Sequence, residues 1–260
     1  MPDADYPLTG RFLQSRLRHA MTDHEKSVLE GLIDRTVTFA GETVVVKRGE
    51  YMNHSMLLIE GFMLRTIEAD GKEAIVGLQV PGDFVDLHAF ALKRLDHDLK
   101  AVGRVTVGYV PHERLQQVML EEPHLARLFW FSTLLDASIH REWIRKVGQL
   151  RAMGKVAHFI CEIWYRLRMV ELGKEAGFQT PFSQIHLANM CGMSTIHVSR
   201  TMKDLREAGM MEFRRGRVII HDGEKLKKIA SFDPAYLYGE GGLEVGHALD
   251  LGADERALAK

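Results

Sequence analysis

The side chains with the clearest chemical purpose lie in one stretch, 183–209, reading SQIHLANMCGMSTIHVSRTMKDLREAG. Ser183 and Gln184 open it, and Ser194, Thr195, His197, Ser199, Arg200 and Lys203 recur along one side of its second half. These are the groups that read nucleic acid: arginine donates bidentately to guanine O6 and N7, and Ser, Thr and His reach base edges or phosphates. Directly afterwards, MMEFRRGRVIIHD sets Arg214, Arg215 and Arg217 around a glycine between two short apolar runs, a basic hairpin tip suited to phosphate. A second cluster, Asp86, His88, Arg94, Asp96 and His97, has the mixed charge of a small-effector pocket. With Asp98 it also offers the oxygen and nitrogen donors of a cation site, the alternative being solvated loop residues. Of the two cysteines, Cys161 sits among Phe159, Ile160 and Trp164 and reads as a buried thiol. Cys191 falls in a turn, where an exposed thiolate would act as a redox switch.

Positioning these groups requires particular elements. A helix from Ser183 turns Ile185, Leu187, Ala188 and Met190 inward; Gly192 supplies a left-handed turn residue, and Ser194 caps a second helix. That helix buries Ile196 or Val198, with Met202 and Leu205. Helix, short glycine turn, helix, then a basic hairpin is a winged helix-turn-helix, whose second helix enters the major groove. Upstream, 36–111 is a series of short β-branched segments broken by Gly, Pro and Asp, with a hairpin turn at 69–72, which predicts a small β-barrel or jelly roll. Residues 11–34 read as two short helices, the second capped at Thr22-Asp23. Residues 112–122 make a helix stopped at Pro123. A long helix follows to 150, with Leu128, Phe131, Leu135, Ile139 and Trp143 as its apolar stripe. Such a helix spans ~40 Å, more than a small barrel covers, so the stripe is assigned to a homodimer interface. Another amphipathic helix covers 151–172, before a polar turn at 173–180.

The chain has 260 residues, with 34 Lys and Arg against 35 Asp and Glu, which excludes a uniformly basic coating. Charge is segregated, however: residues 200–228 hold nine basic and five acidic side chains, and 233–260 hold two and six. The latter predicts a mostly mobile acidic tail. No apolar run is long enough for a membrane helix and no leader-type apolar region is present, so a cytoplasmic protein without a membrane partner is expected. A phosphate-binding glycine loop, a nucleophile elbow and a closed metal motif are also lacking, which points to binding rather than catalysis.

The barrel segment LLIEGFMLRTIEADGKEAIVGLQVPGDF at 57–84, the strand-helix VTVGYVPHERLQQVM at 105–119 and the helix-turn-helix with Ser199-Arg200 resemble the Crp-Fnr superfamily of bacterial transcription regulators. The resemblance implies an α+β chain. A cupin-like sensor barrel with flanking helices occupies 1–122, a dimerisation helix 123–150, a winged helix-turn-helix 151–223 and an extension 224–260. It also implies a homodimer on near-palindromic, double-stranded promoter DNA, in contact with RNA polymerase. Cyclic AMP-binding members carry an Arg-Ser pair that holds the phosphate; here that place falls near Leu95-Asp96, with Arg94 one residue away and Asp96 and Asp98 acidic. A cyclic phosphate is therefore not expected in the barrel. Oxygen-sensing members use an N-terminal cysteine cluster for iron and sulfur; no cysteine precedes Cys161, so no such cofactor is expected and the effector is left open. Thr195-Ile196 stands where the cyclic AMP regulators have Arg-Glu, so a half-site other than the TGTGA type is expected.

Overall fold

The computed structural model describes residues 5–239. Its first half is built on an antiparallel sheet of β1 (Arg35–Phe39), β2 (Thr43–Val46), β3 (His54–Ala69), β4 (Lys72–Gln79) and β5 (Asp98–Pro111). The order is β1-β5-β3-β4, and β2 also pairs with β5. β3 and β5 are 16 and 14 residues long, and both change register along their length. Those irregularities let long strands coil into a jelly-roll-like domain. Gly61 sits at one of them with φ of 87°; a Cβ there would lie 2.3 Å from the Arg104 carbonyl oxygen, so only glycine lets β3 and β5 approach. The hairpin expected at 69–72 is present, Ala69 pairing with Lys72 across Asp70 and Gly71, both at positive φ.

The N-terminal segment corrects the sequence reading. Thr22 caps α1 (Asp23–Gly31) through a reciprocal capping box with Glu25, as expected. Instead of a first helix, 11–21 form turns and a single 3-10 turn at Arg18–Ala20, because Leu13 and Ser15 take positive φ. This puts Phe12 edge-on against Phe84 and Phe129, at 5.6 and 5.8 Å between ring centroids.

After α2 (Ala89–Leu92) and β5 come α3 (His112–Glu121) and the 27-residue α4 (Pro123–Gln149), with proline in its first turn. The stripe assigned to a subunit interface is largely covered by its own chain. Leu128 is buried with Phe12 and Phe84, whereas Leu135, Ile139 and Trp143 join the core shared by β3, β4 and α5 (Ala152–Met169). Phe131 is half-buried against Tyr238. The barrel, α5 and the N-terminal segment together flank most of α4, so its exposed apolar groups lie on another face: Trp130, Leu134, Ile144 and Val147.

The second half carries β6 (Gly177–Gln179), α6 (Gln184–Cys191), α7 (Thr195–Glu207), β7 (Met211–Arg214), β8 (Arg217–Ile220) and α8 (Gly223–Ala230). β6, expected to be part of a turn, adds a third strand to the wing by pairing with β8. α8 packs on α5 with Leu226 and Ala230 fully buried, and the start of the expected mobile tail, 233–260, departs from that expectation: a 3-10 turn at Pro234–Leu237 packs on α4 and α5 with Leu237 fully buried. The remainder of that acidic segment, 240–260, lies outside the described residues.

The two halves are tied by buried cations. Arg166 on α5 donates to Asp83 of the barrel at 2.6 Å and to Glu162 at 3.4 Å. Arg16 Nε donates to the Leu237 carbonyl at 2.8 Å, and Ser15 Oγ to that of Met169 at 2.9 Å. Burial lowers Arg16 to about 10 despite Asp83, which leaves it charged at neutral pH.

Candidate nucleic-acid interface

α6 and α7 are held at a fixed angle by caps that their sequences specify. Ser183 accepts from the His186 amide at 3.3 Å, and its own amide donates to His186 Nδ1 at 3.1 Å. Gly192 ends α6 with φ of 60°, and Ser194 caps α7 by accepting from the His197 amide at 3.3 Å. The hydroxyls of Ser183 and Ser194 are thus occupied in building the motif. α7 buries Val198, Thr201, Met202 and Leu205 against α5 and α6, which leaves Thr195, His197, Ser199, Arg200 and Lys203 in an exposed row. Lys203 lies 3.7 Å from Glu207; Arg200 has no ion pair among the described residues. The uncompensated N–H groups of the α7 N-terminus add positive potential to the same end.

The wing tip follows from two backbone facts. Arg214 and Arg217 pair across Arg215 and Gly216, whose φ values of 50° and 75° are those of a type I′ hairpin turn. Gly216 also lies under the loop before α6: its carbonyl accepts from the Thr180 amide at 2.7 Å, and a Cβ would sit 2.4 Å from the Thr180 oxygen. All three arginines point to solvent. With Ser183 and Gln184, also exposed, they complete a surface whose outward groups are hydroxyls, an imidazole and guanidinium or ammonium cations.

The barrel contributes a separate pocket of about 560 Å³ against α4, lined by Arg65, His88, Asp96, His97, Asp136 and His140 among others. Arg65 is buried and fully engaged, donating to Asp136 Oδ2 at 2.5 Å and to the Val85 carbonyl at 2.8 and 3.2 Å. Burial raises Asp136, but Arg65 and His140 outweigh it and hold the carboxyl below its ordinary range. His97 Nδ1 meets Asp96 at 2.7 Å. Burial, reinforced by Arg65, lowers both His97 and His88, the latter to about 4, so both imidazoles are neutral at pH 7.

Residues 36–122 match the cyclic nucleotide-binding domain family and 154–229 the Crp-like helix-turn-helix domain family, spans that together exceed half the chain. The chain belongs to the Crp-Fnr superfamily. Within it, the transcriptional activator FnrL of Cereibacter sphaeroides is 26% identical over 212 residues, 79% of this chain and 82% of FnrL. The nitrogen fixation regulation protein FixK of Bradyrhizobium diazoefficiens is 26% identical over 201 residues, 76% of this chain and 83% of FixK. Among solved structures, FixK2 from Bradyrhizobium japonicum superimposes with a TM-score of 0.68 at 18% identity, covering 75% of this chain and 96% of FixK2. As a Crp-Fnr regulator the chain is a sequence-specific DNA-binding protein and not an enzyme, and no helix among its described residues is long and apolar enough to cross a membrane.

Against this regulator's geometry, several expectations need correction. Ile185, expected to face inward, is 61% exposed, and of the two alternatives on α7 Val198 is the buried one while Ile196 is 66% exposed, because α6 and α7 each turn a neighbouring position to the core. Ile196 therefore adds an apolar contact, of the kind that meets a thymine methyl, to the polar row on α7. Cys191 is not exposed: it closes α6 in the core, 3.8 Å from the Lys155 carbonyl, and burial raises its pKa, which removes the basis for a thiolate switch. Arg94 does not line the barrel pocket; it reaches the Gly49 carbonyl and lies 5.7 Å from the Tyr51 ring. Asp86 is fully buried, accepting from the Met56 amide at 2.6 Å, and holds the loop rather than the pocket. Asp86 and His88 are not on a strand, as an Asp-x-His cation site would need, and no metal-ligating cluster occurs among the described residues. Arg65 was missed, although an arginine inside the apolar run FMLRTI is a sequence signal of a buried cation.

Proposed function

We propose that this regulator works in the cytoplasm as a homodimer on a near-palindromic promoter site, where it contacts RNA polymerase. Each α7 enters a major groove and each β7–β8 tip lies on phosphate, with half-sites one helical turn (~34 Å) apart. The observation that carries the reading is the exposed α7 row that includes Arg200, which has no ion pair among the described residues. Selection from random DNA would define the operator, expected to differ from TGTGA-type half-sites. On that operator Arg200→Ala should weaken specific binding by about 1–3 kcal/mol while random DNA is bound almost as before, and affinity should fall steeply with salt. Equal effects on operator and random DNA would remove α7 from base reading.

Support for the dimer comes from the opposite face of α4 to that first assigned. Trp130, Leu134, Ala137, Arg141, Ile144 and Gly148 follow the alternating four-three spacing of a coiled-coil seam. Trp130, Leu134 and Ile144 are 64%, 51% and 73% exposed on the single chain. Ile144→Asp should give a monomer by sedimentation, with operator affinity lost alongside; a variant that stays dimeric places the interface elsewhere.

The pocket beside α4 is read as an effector site that does not take cyclic AMP. Arg65 is committed to Asp136 and Val85, Asp96 adds a second carboxylate, and the other lining arginine, Arg141, is exposed to solvent, so a cyclic phosphate finds no free buried guanidinium of the kind it needs. Calorimetry with cyclic AMP should show no binding tighter than ~1 mM, the equivalent of about 4 kcal/mol. A saturable heat below that concentration would refute the reading.

A further inference from the structure

At the end of the sheet where β1 starts and β5 finishes, a cavity of about 550 Å³ shares no lining residue with the pocket beside α4. Its walls are aromatic and cationic. The Tyr109 ring lies 4.6 Å from that of His54 and 4.4 Å from the Arg35 guanidinium carbon, and Lys93 Nζ lies 5.0 Å from the Phe90 ring. Lys93 Nζ is 3.1 Å from His112 Nδ1, and His112 Nε2 is 3.2 Å from Ser55 Oγ. An ammonium only donates, so Nδ1 accepts and the imidazole proton sits on Nε2. His112 is buried, and that burial together with Lys93 lowers it to about 4, so the imidazole is neutral at pH 7.

These cations are poorly compensated. Among the described residues Lys93 has no carboxylate within ion-pair reach, and Arg35 meets only Asp34 at 4.0 Å, while Arg114 holds the other Asp34 oxygen at 3.1 Å. The backbone keeps Lys93 at φ of 61°, where glycine or asparagine is the usual occupant, yet the position carries an ammonium. The first turn of α3 lines the same space, and no side chain caps its N–H groups. One acidic group on that turn, Glu113, opposes them.

We propose that this cavity binds a small aromatic carboxylate. The acid group meets Lys93 and Arg35 in charge-assisted hydrogen bonds, and the ring packs on the Phe90 and Tyr109 side. A volume of this size suits a small molecule, and a concave aromatic wall favours a flat ring over an acidic protein segment.

The probe is benzoate, titrated into the full chain and followed by ligand-observed NMR, with benzyl alcohol and acetate as matches lacking the charge or the ring. Benzoate should saturate, and each match should bind at least ~10-fold more weakly. Lys93→Asn, which suits the left-handed backbone, should weaken benzoate ~10-fold or more, and Arg35→Gln should act in the same direction. Glu113→Gln should tighten it. Melting temperature and operator binding of the three variants should match the parent, which separates a lost site from a lost fold. The proposal is overturned if benzoate shows no saturable binding, if benzyl alcohol binds as well, or if Lys93→Asn leaves benzoate affinity unchanged. Loss of binding in His88→Ala with no loss in Lys93→Asn would overturn it too, by placing the acid beside α4.

Discussion

Arg166→Leu should destabilise the folded chain by about 3–5 kcal/mol, because it strands carboxylates that the guanidinium now neutralises. Arg166 and Glu162 are almost fully buried on α5, and Asp83 approaches from the barrel with a side chain only 22% exposed. Burial disfavours the charge on Arg166, and Asp83 and Glu162 more than reverse that, raising its pKa. Glu162 also accepts from Trp143 Nε1 at 2.9 Å and from the Tyr236 hydroxyl at 2.9 Å. Without Arg166 those two neutral donors remain, but among the described residues no cation is left within ion-pair distance of Glu162 or Asp83. Adding Glu162→Gln to Arg166→Leu should recover part of the loss, since an amide oxygen still accepts from Trp143 and Tyr236 without a buried charge. Urea midpoints of the parent, the single and the double variant measure both terms. A loss below ~1 kcal/mol for Arg166→Leu would mean that water reaches these carboxylates.

Asp86 should make a contribution to stability that falls as pH rises from about 4 to 7, opposite in sign to that of the buried histidines His88 and His112, and Asp86→Asn should remove that contribution. Asp86 is fully buried, with one oxygen on the Met56 amide and the other without a hydrogen-bond partner among the described residues. Burial pushes the carboxyl up to about 7, against the Met56 amide and Arg65, which both favour the anion. An unfolded aspartate titrates near ~3.9. Between these values the folded chain keeps a proton that the unfolded chain has released, so the native state loses ground with rising pH. The stabilisation is complete below pH ~4 and gone above pH ~7, and its ceiling is about 4 kcal/mol. Asparagine retains the acceptor for Met56 and never ionises. The variant should therefore match the parent near pH 4 and exceed it by about 2–4 kcal/mol at pH 8. Parallel melting curves for the two proteins across this range would show that Asp86 does not titrate there.

What could be read from the sequence was whatever is encoded locally. The caps at Thr22 and Ser194, the helix start at Ser183, the Gly192 turn and the 69–72 hairpin each depend on a few adjacent residues, and each is found. The outward row of α7 was legible for the same reason, since helical spacing alone places Arg200 opposite Val198 and Leu205. The errors arose where an apolar residue had two surfaces available. Leu135, Ile139 and Trp143 were taken for a subunit interface because periodicity shows a face but not its partner; here the partners are β4 and α5 of the same chain. Ile185 reads as core, and Ile196 competes with Val198 for that place, because hydrophobicity does not reveal exposure. Cys191 seemed accessible because a turn was expected to be open, yet this turn is packed beneath by α5. Arg65 and the Lys93–His112 pair depend on partners 71 and 19 positions away, which no local pattern announces.

Arg16 and Leu237 stand 221 positions apart in the chain but share a buried hydrogen bond. During synthesis the guanidinium emerges first, and its acceptor does not exist until 221 further residues have been made. At ~5–20 residues per second that interval is roughly 10–45 s. The barrel can complete its sheet in this time, because β1 to β5 are all upstream of Pro111. The clasp between Arg16 and the DNA-reading half, however, can close only once Leu237 has been made. A nascent chain therefore carries its sensor assembled and its reading head unfastened, and the last segment described, 232–239, marks when the regulator becomes a single body.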